Sequence, residues 1–200
     1  MTRKSAEKDR RAAELKPLPR TYKGTGERAS GLGTVRLRDP ETGLYTPTAL
    51  AEFIQYEIDG SAQTMLNDLY VTPLCLAAVA FEGTGGSAEE RFMTVGEAIR
   101  RLTRTSDRVA RDDDVFLLLL RRTLAKNVQE HYAPRLAETV NDALREMGAT
   151  ATLSVGISSL VEHLARDPED MVRKAMRALD EARKEPGSFV IYDFRVMPID

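Results

Sequence analysis

Eight apolar residues in succession, Leu74 to Phe81, stand directly behind Pro73, and no other feature of the chain narrows its fold as much. Proline breaks whatever precedes it. The run is short for a helix and lacks the polar alternation of a strand with one wet face. It therefore predicts a strand buried on both faces, and such a strand needs helices above and below it.

Helical periodicity supplies those layers. Leu50, Phe53, Ile54 and Ile58 recur at helical spacing and predict the first core helix. After a glycine-rich loop, Glu82 to Ser87, the residues Phe92, Val95, Ile99 and Leu102 place an apolar stripe on a second helix. Its other face carries Arg100, Arg101 and Arg104, and it is expected to end near Thr105. Val109 and the apolar run Val115 to Leu120 flank Asp112, Asp113 and Asp114, residues that tolerate tight turns, which predicts a β-hairpin. Leu136, Val140, Ala143, Leu144 and Met147 form the apolar face of a long helix stopped by Gly148. Thr150 to Ile157 alternates as a strand. Asp167 caps a helix with Pro168 at its first position and Met171, Val172, Ala175, Met176 and Leu179 facing inward, and Phe189 to Tyr192 makes the last strand. From Leu74 the order is β-α-β-β-α-β with an appended α-β. This predicts an α/β (α+β) fold with a ferredoxin-like core, helices surrounding a central, mainly antiparallel sheet. Such folds host many unrelated functions, so the fold alone does not decide the chemistry.

Composition limits the partners. Lys and Arg number 29 against 31 Asp and Glu, so no whole-molecule field exists to hold a nucleic-acid backbone or an anionic membrane, and any anion site must be local. The apolar runs fall far short of the roughly 20 residues that span a bilayer. No secretory apolar stretch follows the basic N terminus, and a lone cysteine forms no internal disulfide. A cytoplasmic protein without membrane insertion is expected. Residues 1–37, rich in Lys, Arg, Glu and Gly with Pro17 and Pro19, are read as a flexible tail or linker, with a short helix at Arg10 to Lys16 as the alternative, and the folded domain is expected over residues 38–200.

Four segments then carry a resemblance. Asp39-Pro40-Glu41-Thr42-Gly43-Leu44-Tyr45 resembles the D-x-L-T-G-L-x-N-R segment of GGDEF domains, the diguanylate cyclase family. Asp107 to Leu120 is similar to that family's D-x-v-a-R-l-G-G-D-E-F hairpin with its apolar second strand. Thr152 to Ile157 resembles its T-x-S-x-G-I strand, and Ala178 to Arg183 its A-L-Y-x-A-K helix end. The matches occur in the family's order, and the resemblance implies the palm-type form of the core.

The resemblance also shows departures. The family's chemistry uses carboxylates on adjacent strands to hold divalent metals over a triphosphate. Ala80 stands where a metal-binding Asp belongs and Glu82 at the second acidic position, and the F-K-x-x-N-D residues that would follow are absent from Glu82 to Arg91. In the signature, Asp112 and Asp113 replace the glycines that let a phosphate approach the backbone. Asp114 keeps a carboxylate, and Val115 replaces the next acidic residue. From these differences the chain is expected not to be an enzyme, to use no cofactor and no metal, and to carry Asp112 to Asp114 as a solvated acidic turn.

Arg104-Thr105-Ser106-Asp107 matches the R-x-x-D product-binding motif of that family, which precedes the signature hairpin. A guanidinium offers a planar fork to a guanine Hoogsteen edge or a phosphate, and a carboxylate can accept from guanine N1 and N2 hydrogens. An ordinary surface ion pair between Arg104 and Asp107 is the competing reading. The candidate ligand site comprises Arg104, Asp107, Arg108 and Arg101, with both Arg104 and Asp107 expected to be exposed without ligand. The family's second arginine, on the long helix, has Asn141 as its counterpart, with Arg135 and Arg145 nearby.

Other conspicuous residues read as structural. Cys75 is a small core residue, His131 and His163 lack metal-ligand spacing, and Gly83 to Gly86 is a flexible turn without the Lys-Ser/Thr of a phosphate loop. The function expected is a cyclic di-GMP effector module that signals by altered self-association, as a homodimer, or by binding a protein partner. A nucleotide-independent interaction or dimerisation module is the alternative, and GTP binding without turnover is a third reading.

Overall fold

The computed structural model of the chain describes residues 27–30, 33–66 and 72–199. The remainder of the expected tail, with the alternative helix at Arg10 to Lys16, lies outside the described residues. Two segments assigned to the tail, β1 (Glu27–Ser30) and β2 (Gly33–Arg36), pair as an antiparallel ribbon. The main body then follows as α1 (Pro47–Leu66), β3 (Leu74–Thr84), α2 (Ala88–Leu102), β4 (Arg108–Asp112) and β5 (Val115–Arg121). A short α3 (Ala125–Asn127) runs through a π turn (Val128–Tyr132) into α4 (Ala133–Arg145). The chain ends on β6 (Thr150–Ser159), α5 (Pro168–Ala182) and β7 (Phe189–Ile191).

The five-stranded sheet has the order β4-β5-β3-β6-β7, with β3 antiparallel to β5 and β6, and β7 parallel to β6. The expected mainly antiparallel sheet covered by helices is what forms. Residues of β3 alternate between two cores, as the period of a strand requires. Cys75, Ala77 and Val79 pack with Val95 and Ile99 of α2 and Leu136, Val140 and Leu144 of α4. Leu74, Leu76, Ala78 and Ala80 pack with Leu50 and Ile54 of α1 and Met171, Ala175 and Leu179 of α5. All four leucines of β5, Leu117 to Leu120, are buried, each stabilising the fold by about 2 kcal/mol relative to exposure.

Element ends follow local chemistry. α2 starts on a capping box between Ser87 and Glu90 and stops at Leu102, three residues before the expected end. Thr103 there turns extended (ψ 138) while its N–H still donates to Ile99 O at 3.0 Å. α5 is capped as expected by Asp167, which accepts from Asp170 N at 2.7 Å. Gly156 of β6 lies beneath α5, and a Cβ there would meet Leu179 N at 2.1 Å and Ala175 O at 2.3 Å. The glycine of the T-x-S-x-G-I segment therefore lets helix and strand backbones touch. Among the described residues no helix is long and apolar enough to cross a membrane.

Candidate ligand-binding groove

A turn joins α2 to β4, and it is built around Asp107. The carboxylate accepts from Arg104 N at 3.2 Å, from Ser106 Oγ at 3.2 Å and, across the sheet, from Arg121 N at 3.1 Å, while Asp107 N–H donates to Arg104 O at 3.0 Å. Asp107 is only 9% exposed. This corrects the expectation of an exposed carboxylate. The spacing of R-x-x-D is also the spacing of a side chain closing its own turn, and backbone amides have first claim on a buried acceptor. A carboxylate has about four lone-pair sites, and three are in use.

The closed turn leaves Arg104 exposed, with a guanidinium that makes no hydrogen bond or ion pair among the described residues. Arg100, in the last turn of α2, reaches the same surface. Together with Arg38, Tyr45, Thr103, Asp107 and Arg108 they line a groove of about 290 Å³. Arg108 donates to Thr105 O at 2.9 Å and to Asp107 O at 2.7 Å, lies over the Phe53 ring, and keeps a buried Nε with no partner. Arg38 lies 4.3 Å from the centroid of the Tyr45 ring and donates to Gly43 O at 2.6 Å. The groove thus sets forked cations and an aromatic face in one surface, a combination that receives phosphates and planar bases.

The structure brings three of the four residues singled out in the sequence, Arg104, Asp107 and Arg108, to the groove. It turns Arg101 away onto the exposed face of α2, where it pairs with Glu97 at 2.8 Å. Arg100 and Arg101, four and three residues before Arg104, were equally within reach of sequence reasoning, since both spacings make helical neighbours. Arg38 gave no sequence signal. Asn141 does not face a ligand: it donates to Ala137 O at 3.0 Å and accepts from Ala151 N at 3.2 Å, joining α4 to β6.

The segment 38–45 is fastened to β4 as a partial extra strand. Tyr45 N donates to Val109 O at 2.9 Å and Arg111 N to Tyr45 O at 3.0 Å. Asp39 closes the intervening turn by accepting from Thr42 N at 2.8 Å and Thr42 Oγ1 at 2.6 Å, and Gly43 adopts φ +66. Those contacts are the physical content of the D-x-x-T-G pattern. Burial acts to raise the Asp39 carboxyl, and the hydrogen bonds from Thr42 with the charge of Arg111 outweigh it, leaving it below the usual carboxylate value.

At its far end the hairpin closes in two residues: Asp112 and Val115 form the last pair, and Asp113 and Asp114 make the turn, with Asp113 at φ +50. Arg111 lies 4.5 Å from the Phe92 centroid, with its guanidinium on Asp39 and Glu41, and Asp114 meets Arg183 at 3.3 Å. At the positions the resemblance gives to metal ligands, Ala80 and Val115 are buried in the apolar core and Glu82 is exposed. Among the described residues no three His, Cys, Asp or Glu side chains come together to hold a metal ion. This donor set does not fit the family's paired-carboxylate site.

Residues read as structural behave accordingly. Cys75 is buried, donates to Thr123 O at 2.9 Å, and burial with the Glu162 charge pushes its thiol up to about 12. His163 Nδ1 accepts from Ser159 N at 2.9 Å, and burial lowers its pKa. The glycine turn expected to be flexible is instead ordered: Gly83 and Thr84 extend β3, and Arg91 donates to Gly85 O at 2.7 Å and Gly86 O at 2.9 Å.

Comparison with known proteins agrees with this architecture. The family model described as "Diguanylate cyclase, GGDEF domain" matches residues 85–188, and the chain belongs to that family. No protein of curated function matches it in sequence. Among solved structures it is similar to the GGDEF domain of FimX from Pseudomonas aeruginosa, at 22% identity and TM-score 0.64 over 78% of this chain and 99% of that one. The GGDEF domain of DgcB from Caulobacter crescentus, solved in complex with c-di-GMP, matches at 15% identity and TM-score 0.57, over 82% and 98%. The diguanylate cyclase SiaD of P. aeruginosa, solved with its activator SiaC, matches at 22% identity and TM-score 0.57, over 78% and 61%.

These findings correct one expectation. The chain was expected not to be an enzyme, but its family is that of the diguanylate cyclases, and SiaD is one. The differences at Ala80, Asp112, Asp113 and Val115 do not remove it from that class. Sequence reasoning took side-chain departures as loss of activity, a step that side-chain identity alone does not license.

Proposed function

We propose that residues 38–200 form a cyclic di-GMP-binding GGDEF domain, in which the dinucleotide occupies the groove between α2 and segment 38–45 and alters self-association or partner binding. The observation that carries this reading is the convergence of Arg38, Arg100, Arg104 and Arg108 with Tyr45 on one groove. A ligand with two phosphates and two guanines asks for forked cations and flat faces. The chain as a whole is slightly acidic, so this cationic surface is local. The binding of c-di-GMP by DgcB supports the reading as a property of that relative.

The buried Asp107 shifts the weight of recognition toward the arginines. Arg100 and Arg104 are both exposed guanidiniums of the groove without a hydrogen bond or ion pair among the described residues, and Arg104, at the turn itself, supplies the first contact. Isothermal titration of the full chain with cyclic di-GMP tests the proposal. The parent is expected to bind, Arg104→Ala to lose at least tenfold, and Arg104→Lys to lose about as much, because an ammonium keeps the charge without the planar pair of donors. No heat with the parent at tens of micromolar protein would overturn the reading. Equal binding by both variants would move the ligand elsewhere.

A further inference from the structure

Beside the groove lies a second hollow, of about 250 Å³, and the two share Leu44 and Arg100. Met93, Glu97 and Arg100 recur along α2 at spacings of four and three, so one face of the helix lines this hollow opposite segment 38–45. Leu44 and Met93, the latter 41% exposed, give it apolar walls against which a flat ring can lie. Gly96 lies on its floor, where a Cβ would stand 3.2 Å from Phe116 Cε1 and 3.8 Å from Leu44 Cδ1. Glycine weakens the middle of a helix, and here it leaves the floor free of a side chain.

Glu97 and Arg100 are the charged groups of the hollow. Arg101, which does not line it, donates to Glu97 Oε1 at 2.8 Å, and Oε2 has no partner among the described residues. Both members of that ion pair are exposed, so the carboxylate can leave it at little cost. The groove itself has one carboxylate, Asp107, and the donors of its own turn and of β5 already hold it. Guanine presents two adjacent donors, N1–H and N2–H, on one edge and two acceptors, O6 and N7, on another. A carboxylate and a guanidinium in one hollow answer both edges.

We propose that Glu97 is a specificity-determining residue of the ligand site, its carboxylate accepting from N1–H and N2–H of one guanine seated in the hollow, while Arg100 meets the dinucleotide where hollow and groove join. The inference rests on the groove being the cyclic di-GMP site. It assigns the reading of the base to a carboxylate that the fold does not use and leaves Asp107 to close its turn. A ligand with two bases thereby fills two adjoining spaces that have an arginine in common.

Glu97→Gln tests this, since glutamine keeps the shape and replaces one acceptor oxygen with a donor NH2. Isothermal titration of the full chain should show its affinity for cyclic di-GMP lowered by about tenfold. Cyclic di-IMP, which lacks only the N2 amino groups, should bind the parent about fivefold more weakly than cyclic di-GMP, and that preference should narrow in Glu97→Gln. Arg101→Ala, which removes the ion-pair partner of Glu97 and leaves the hollow intact, should keep the parental affinity. A Glu97→Gln variant with parental affinity, a preference for the N2 amino group that it leaves undiminished, or an Arg101→Ala variant that matches its loss would each overturn the inference. If the parent itself binds no cyclic di-GMP, the reading of the groove fails, and this inference with it. If the parent binds, Arg104→Ala loses affinity and Glu97→Gln equals the parent, only the role of Glu97 falls.

Discussion

The two ends of the β4–β5 hairpin are opposite in charge and in construction. At the α2 end, Arg104 and Arg108 flank a carboxylate that is buried and bonded to backbone amides of its own turn and of β5. At the other end, Asp113 and Asp114 project into solvent, held by an exposed ion pair to Arg183. A charge tied to backbone fixes the path of the chain, whereas a charge tied to another flexible side chain contributes little. The first end is therefore the better candidate for a shaped ligand site, and the second is free to vary.

The sharpest way to break that comparison is Asp107→Ala. It leaves the amides of Arg104 and Arg121 without their acceptor and should cost about 3 kcal/mol of folding stability in denaturant titration. Asp114→Ala, its control at the tip, should cost about 0.5 kcal/mol or less. Equal losses would show that the two ends are built alike. A smaller effect of opposite sign is expected at Asp113, which holds φ +50 without being glycine. Asp113→Gly should stabilise the domain by about 0.5 kcal/mol, because the left-handed conformation costs a side-chain-bearing residue more than glycine. A loss of stability in the same titration would mean that the Asp113 side chain has a role the structure does not reveal.

The smallest effect concerns pH. Burial raises the Asp112 carboxyl above its usual 3.8, with the charges of Asp113 and Asp114 adding to the rise. A raised acid favours folding most when protonated: its contribution is fully present below 3.8 and is lost as pH rises through the folded value. At neutral pH Asp112 is thus a net cost. Asp112→Asn should stabilise the domain by a few tenths of a kcal/mol at pH 7 and by nothing near pH 3, compared by urea midpoints at the two values. A gain that persists at pH 3 would assign the effect to packing instead of charge.

Much of this architecture was legible in the chain because burial leaves a periodic record. The unbroken run Leu74 to Phe81 announced a strand between two helical layers, and Asp167-Pro168 announced a capped helix. Asp107 was harder to read. R-x-x-D describes a ligand clamp and a self-closed turn equally well, and the deciding bond, from Arg121 N, comes from a residue 14 positions away. Arg101 was chosen over Arg100, and spacing does not separate them, since both lie within one helical turn of Arg104. Arg38 reaches the groove only because segment 38–45 bridges to β4, a tertiary event with no local signal. The π turn likewise leaves no composition or period to find.

The backbone contact at Gly156 gives α5 a mechanical character. A helix separated from a sheet by side chains can roll or slide as those side chains change rotamer. With Leu179 N and Ala175 O resting on Gly156 there is no such cushion, so helix and strand translate together as a strut. The strut is about 22 Å long at 1.5 Å per residue. Just past its C-terminal end Arg183 grips Asp114. Near the other, Asp170 and Lys174 form a largely enclosed ion pair, and Lys174 holds His163 O at 3.0 Å. Tyr192 and Met197 pack against Ala178, four residues before the C-terminal end of α5. The hairpin tip, joined to α5 through an exposed ion pair, is thus loosely attached, whereas the enclosed Lys174, bonded to His163 O, and the Gly156 contact tie α5 firmly to the sheet.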